Sequence, residues 1–350
     1  MLEEYYGLFI ILMIGYLSAQ LSLFFKVPAG RLVGPILAIG LLKIIGLDII
    51  IPSYIKSLFA VVLGIYLGVR FDKELVNRLK KLVRPSLLLI IWYIASTSLN
   101  GYLLSHLAVI DNVTAFLSVV PGGIAETTVL AMSYHADLLQ ITCFQMARLL
   151  SVVLVLPLLI KKCISTDEME TGKSRSEKTN KSEKKILNWL GLLIFGGLGG
   201  LVFNALHFPA GNMIGALITI VFLNAKFDYK LKAPPKFFYH LAQIGMGGII
   251  GTSFTSEGLF YIADLFIPIL VMTLLVILSS LILAYCLGKI FKWNFITSFL
   301  AAVPGGLIPM IILADEVNAD RTVVGTLQMV RLLTAIVIIP FTYSVFIELF

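Results

Sequence analysis

Two arginines stand at matched places inside apolar stretches: Arg148 in Gln145-Met146-Ala147-Arg148-Leu149-Leu150, and Arg331 in Gln328-Met329-Val330-Arg331-Leu332-Leu333. A guanidinium at the centre of a spanning helix costs about 2.5–3.5 kcal/mol on insertion scales, so such a residue needs a reason to be there. Its planar fork of donors matches a carboxylate. Gln145 and Gln328, three residues earlier, share a helix face with their arginines. Each arginine follows an aspartate, Asp137 or Asp320, by 11 residues. That is about 16 Å of helical rise, which sets both near the midplane of a bilayer. The pattern points to binding or gating of an anion. The plainer alternative is that each arginine ties backbone carbonyls in place.

One carboxylate accompanies them. Glu126 lies three residues beyond Gly123, and the matching position in the second stretch is Pro309. Glu126 is expected to carry a proton or a coupling cation, with a static ion pair to Arg148 as the alternative. In the first case Arg331 faces an anionic substrate. Thr127 and Thr128 follow, suited either to hydroxyl coordination or to bonding back to their own helix. Upstream of each arginine runs a Pro-Gly-Gly, at Pro121-Gly122-Gly123 and Pro304-Gly305-Gly306. Proline lacks the amide donor and glycine weakens a helix, so a helix should break at both. Backbone left open there needs protein or water around it. Gly122, Gly123, Gly305 and Gly306 therefore join Arg148, Arg331, Gln145, Gln328, Glu126 and Thr127 as the candidate substrate and ion site.

These matches belong to a repeat. Residues 119–157 set over 302–340 give 14 identities in 39 positions, among them Pro, Gly, Asp, Gln and Arg. Upstream, Pro28-Ala29-Gly30 with Gly34 resembles Pro209-Ala210-Gly211 with Gly215, and Gly64 with Gly68 resembles Gly247 with Gly251. Glu74 corresponds to Glu257. Residues 1–160 and 186–350 read as two copies of one unit, joined by 161–185, a charged stretch without an apolar face that reads as a linker. The glycine pairs at four-residue spacing read as close helix contacts.

The elements that carry these residues are apolar throughout. The 350-residue chain is 59% hydrophobic and 13% charged, with mean hydropathy +0.97. A soluble domain carries roughly 45–50% apolar and about 25% charged residues, so lipid is the expected solvent. Runs near 4–25, 27–47, 53–71, 85–109 and 137–160 are long enough to span. So are 186–206, 209–224 (the shortest), 237–254, 259–288 and 319–346. The segments 111–136 and 294–318 carry the breaks and are expected to enter and return on one side. On that scheme 22 of the 27 basic residues, including those of loop 70–84 and the linker, lie on the cytoplasmic side. Five crossings per half turn the second copy upside down, a recurring transporter architecture. The fold expected is an all-α membrane protein of two inverted repeats, each with about five transmembrane helices plus one re-entrant Pro-Gly-Gly hairpin. Both termini are expected outside the inner membrane. Acidic Glu3 and Glu4 do not suit a cleavable signal segment, so the first run should persist.

Other classes fit poorly. The net charge of +7 sits between apolar runs and reads as an orientation signal, not a nucleic-acid surface. Cys143, Cys163 and Cys286, and the four histidines, follow no metal or redox spacing. Gly196-Gly197-Leu198-Gly199-Gly200 lies within an apolar span with no strand before it, so it is no nucleotide fingerprint. The expectation is a carrier, not an enzyme, with no cofactor. Its partners would be the bilayer and a small solute, with a homodimer left open.

The paired Pro-Gly-Gly and Gln-Met-x-Arg-Leu-Leu motifs resemble those of the AbrB-type integral membrane family, whose halves are called the AbrB duplication. The resemblance covers essentially the whole chain outside the linker. Members are commonly labelled ammonia monooxygenase or regulator of gene expression. An oxygenase needs metal ligands and a regulator needs a signalling or DNA-binding part; neither is legible here. The family is also similar in fold to inverted-repeat antiporters and anion transporters, which implies transport without naming a substrate. A membrane-embedded sensor or regulator is the alternative, and a membrane oxygenase the third reading. Pro309 in place of a second glutamate sets the two halves apart.

Overall fold

The computed structural model describes residues 2–71, 73–163, 185–226 and 234–343. Among them every regular element is helical. The linker expected at 161–185 lies almost entirely outside the described residues. The first copy supplies α1 (Leu2–Phe24), α2 (Gly30–Ile44), α3 (Ser53–Val69), α4 (Lys73–Lys81), α5 (Val83–Leu107), α6 (Asn112–Val119), α7 (Ile124–Ser133) and α8 (Leu138–Cys163). The second supplies α9 (Lys185–Ala205), α10 (Gly211–Lys226), α11 (Lys236–Gly251), α12 (Ser256–Asp264), α13 (Phe266–Phe291), α14 (Phe295–Ala302), α15 (Leu307–Glu316) and α16 (Arg321–Leu333). A π-helical stretch, Thr334–Ile338, continues α16.

The two copies fold alike to the level of single backbone angles. Lys26 and Ala29, between α1 and α2, have left-handed φ of 54° and 53°; His207 and Ala210, at the matching places, have 57° and 51°. His135 and Asn318 repeat the pattern at 54° and 52°. Caps repeat as well. The Asp111 Oδ1 accepts from the Thr114 amide at 2.9 Å, and the Asn294 Oδ1 from the Thr297 amide at 2.8 Å. Asp137 and Asp320 cap α8 and α16 through the amides of Gln140 and Val323, both at 3.0 Å. An Asx oxygen at these positions satisfies amides that the first helical turn leaves open.

Over their described residues all ten apolar runs are helical, with two refinements. The run 259–288 divides into α12 and α13, and its counterpart in the first copy is α4, placed in what reads as a basic loop. A short amphipathic helix was hidden there by its charge: Leu75 turns inward and is 7% exposed while Lys80 and Lys81 are exposed. Among the described residues four helical stretches are long and apolar enough by themselves to cross a bilayer: Tyr6–Phe24, Val83–Leu107, Phe266–Phe291 and Arg321–Tyr343. The helices α2, α3, α10 and α11 have 15, 17, 16 and 16 residues. At 1.5 Å per residue they reach about 23–26 Å, short of a core of about 30 Å. The chain is a multi-pass, all-α membrane protein built from two repeats.

Contacts sort the described chain into two compact units, each drawing on both repeats. The first comprises 1–74, 124–142 and 182–265. There α1 packs on α2 and α9 on α10, while α3 packs on α10 and α11 on α2. The glycine pairs make these contacts. A side chain at Gly68 would strike Leu217 and Ile220 of α10, and one at Gly251 would strike Ile36 and Ile39 of α2. Position for position, these are the same contact made in the two directions. Such reciprocity is the mark of a local two-fold relation between the copies. It also explains the glycines: α-carbon contacts this close exclude a Cβ.

The second unit comprises 75–123, 143–181 and 266–350. Here α5 packs on α6 and α13, α13 on α14, and α16 on α5, α14 and α15. Its core joins Leu89 and Tyr93 of α5, Val152 of α8, Leu283 and Leu287 of α13, Phe299 to Val303 and Leu327 of α16.

Candidate functional site

The helix expected to break at Pro121 stops at Val119, and the one expected to break at Pro304 stops at Ala302. The carbonyls that end each helix have no amide one turn further on. Both are supplied from the following long helix. Gln145 Nε2 donates to the Leu117 carbonyl at 3.4 Å, and Arg148 donates to the Val120 carbonyl at 2.6 Å and the Gly122 carbonyl at 3.0 Å. In the second copy Gln328 Nε2 donates to the Leu300 carbonyl at 2.6 Å and the Val303 carbonyl at 2.9 Å; Arg331 donates to Val303 at 3.2 Å. Leu117 and Leu300 correspond, as do Val120 and Val303. The repeated Gln-x-x-Arg is thus a strap across a helix end. A cation there also opposes the partial negative charge of the helix C-terminus. Gly306 is required by its own backbone, with φ of 87° at the start of α15.

Both straps lie in the second unit, and their guanidiniums come within electrostatic reach of each other and of the Tyr93 hydroxyl. Tyr93 donates to the Ala302 carbonyl at the end of α14. Arg148 is 6% exposed and Arg331 2%. Among the described residues of this unit no carboxylate is buried with them; the acid that is buried, Glu126, belongs to the other unit. The Gln145 and Gln328 side-chain oxygens and Arg148 Nε are buried without a hydrogen-bond partner among the described residues. A small cavity lined by Ser118, Arg148, Met272 and Thr273, among others, has room for about one water. The arrangement leaves donors and two positive charges concentrated in an apolar interior.

Glu126 has a different setting. It opens α7, which packs on α11 and α3 within the first unit. A carboxylate in a first turn is favoured by the exposed amides of the helix N-terminus. It lies within electrostatic reach of Tyr239, whose hydroxyl also bonds the Arg70 side chain. The Tyr239 ring packs on Tyr66 at 4.9 Å between centroids, and Tyr66 donates to the carbonyls of Pro234 and Pro235, each at 2.6 Å. Thr128 bonds back to the Ile124 carbonyl at 2.7 Å, so its hydroxyl is used locally. Thr127 is 1% exposed.

The structure therefore brings Gln145, Arg148 and Gly122 together at one break and Gln328, Arg331, Gly305 and Gly306 at the other. It groups Glu126 with Arg70, Tyr239 and Tyr66, and buries Thr127 beside it on α7. Sequence reasoning missed Tyr93, Tyr239 and the role of Arg70. Tyr93 and Tyr239 sit among other apolar residues without a repeated partner, and Arg70 was counted with the basic loop.

The family model described as "Transition state regulatory protein AbrB" matches residues 2–164 and again 165–347. The chain is 26% identical over 294 residues to "Uncharacterized protein YhjN" of Bacillus subtilis (strain 168), covering 81% of this chain and 76% of that one. It is 22% identical over 331 residues to "Putative regulator AbrB" of Escherichia coli (strain K12), covering 95% and 92%. With nearly its whole length matched in two tandem copies, the chain belongs to the AbrB family.

Proposed function

We propose that this protein is a secondary transporter of a small anionic or zwitterionic solute, coupled to a proton or cation through Glu126. The observation that carries the reading is the pair of buried guanidiniums, Arg148 and Arg331, held in one unit with no buried carboxylate among its described residues. Two like charges in an apolar interior are costly, and an anion that visits them relieves the cost. The straps serve both ends: they hold the open carbonyls and keep the donor forks fixed. In this reading the segments 111–136 and 294–318 are re-entrant hairpins and the copies are inverted. The linker is cytoplasmic, the termini are extracytoplasmic and the membrane is the cell membrane. The chain is a carrier and not an enzyme, and it needs no cofactor.

Uptake into proteoliposomes tests the reading. A panel of small carboxylates and amino acids is offered with and without a pH gradient. At least one is expected to enter, faster with the gradient than without, and Arg331→Gln is expected to abolish entry. Transport of nothing in the panel opposes the reading. The name of the Escherichia coli relative favours a second one, a membrane-embedded sensor or regulator. A sensor would bind such a solute and move none of it.

A further inference from the structure

The second unit holds another opening, away from the straps. A cleft of about 900 Å³ lies between the start of α5 and the end of α13, lined by Lys80, Lys81, Arg84, Leu88, Phe291 and Trp293, among others. None of its lining residues is acidic. Among the described residues, Lys80, Lys81 and Arg84 take part in no ion pair. Leu82, at the cap of α5, offers no side-chain acceptor to the first amides of that helix. Three unneutralised cations and an open helix start thus meet in one concavity.

The depth of the cleft selects the ligand. The helices α5 and α13 are two of the stretches long and apolar enough to span, and the cleft sits where one begins and the other ends. That is the level of the headgroups. Its wall is mixed: basic on the side of α4 and α5, apolar and aromatic at Leu88, Phe291 and the half-buried Trp293. Tryptophan favours this level because one edge is apolar and the other donates. A free phosphate compound would use the cations and leave the apolar wall wet. A phospholipid uses both, with its headgroup on the cations and its upper chain along the apolar wall.

We propose that this cleft is a binding site for an anionic phospholipid headgroup, formed by Lys80, Lys81, Arg84 and Trp293. The site shares no residue with the straps. The probe is native mass spectrometry of the full chain, released from mixed micelles holding equal amounts of phosphatidylglycerol and phosphatidylethanolamine. The expected result is retention of phosphatidylglycerol about tenfold over phosphatidylethanolamine. A Lys80→Gln, Lys81→Gln, Arg84→Gln triple variant with an unchanged melting midpoint should lose that preference. A Lys43→Gln, Lys56→Gln pair should keep it. Should the triple variant misfold, the unaltered chain carries the test. Raising salt from 0.05 to 0.5 M, about a threefold shortening of the screening length, should then strip phosphatidylglycerol but not phosphatidylethanolamine. Equal retention of the two lipids overturns the proposal, as does a preference that survives in the folded variant or in high salt. So does inorganic phosphate that binds the lipid-free chain and displaces phosphatidylglycerol, since the source would then be free phosphate.

Discussion

The two helix breaks are copies of one device with its parts shared out differently. At the first, the arginine does most of the work: Arg148 holds two carbonyls and Gln145 makes one long bond. At the second, the glutamine holds two carbonyls at short distance and Arg331 adds a longer bond to one of them. Beyond the first break the next helix opens with a glutamate; beyond the second, Pro309 takes that position. Duplication supplied two straps, and their glutamines differ most: one long bond at the first break, two short ones at the second. On the proposed transporter reading, the difference separates roles that a single copy would have to combine: bracing the backbone, meeting an anion and carrying a proton.

The largest effect is expected where one side chain holds two carbonyls. Arg148→Ala leaves Val120 and Gly122 without their donor. It should lower stability by about 3 kcal/mol or more, from two charge-assisted hydrogen bonds at roughly 1.5 kcal/mol or more each. Thermal unfolding followed by circular dichroism in detergent reads this, and an unchanged midpoint would break the strap account.

The glutamines give the sharper comparison. Gln328→Ala loses two short bonds and should cost about 2 kcal/mol, while Gln145→Ala loses one long bond and should cost about 0.5 kcal/mol. Equal shifts in the two variants would mean that the division of labour is absent in solution.

Much of this device was legible in the sequence, because repetition filters chemistry from hydrophobic background. Leucine and valine match by chance in any two spans; Pro-Gly-Gly, Gln and Arg do not. The breaks, the straps and the glycine contacts all followed from residues that recur. What did not recur stayed hidden. Tyr93 reaches the end of α14 from one copy alone, and Tyr239 comes within electrostatic reach of Glu126 only because helices of different copies pack together. The helix α4 was concealed by its charge, since only the inward turn of Leu75 distinguishes it from a basic loop. The cut between compact units was equally hidden, because it crosses both repeats and depends on contacts that no single stretch contains.

Glu126→Gln keeps shape and removes the charge. Its effect on stability should be small, about 1 kcal/mol or less, the worth of a charge at a helix N-terminus. Its effect on transport is the informative one: uptake should lose its dependence on the pH gradient. A variant that still responds to the gradient would take the coupling role away from the first break.

The smallest effect is expected far from both breaks. Lys43 hydrogen-bonds Asp48 between α2 and α3 and, with its charge, holds that carboxyl below its ordinary value of 3.8. A lowered value means the contact contributes above the ordinary value and fades as pH falls through the lowered one. Asp48 is fully exposed, so Asp48→Asn should leave the melting midpoint unchanged at neutral pH in 0.5 M salt. A drop as large as that of Gln328→Ala would show that surface pairs rival the straps.

The central claim is that the buried arginines receive an anion, and direct binding tests it with least intervening machinery. The purified full chain is melted in detergent against a panel of small carboxylates, zwitterionic amino acids and matched neutral amides. At least one acid or amino acid should raise the melting midpoint of the parent in a saturable way, by about 2.7 kcal/mol of added stability at a hundredfold excess over its dissociation constant. Its neutral amide should not, and Arg331→Gln, though folded, should lose the response. Stabilisation by the neutral amides as well, or an undiminished response in Arg331→Gln, would contradict the account.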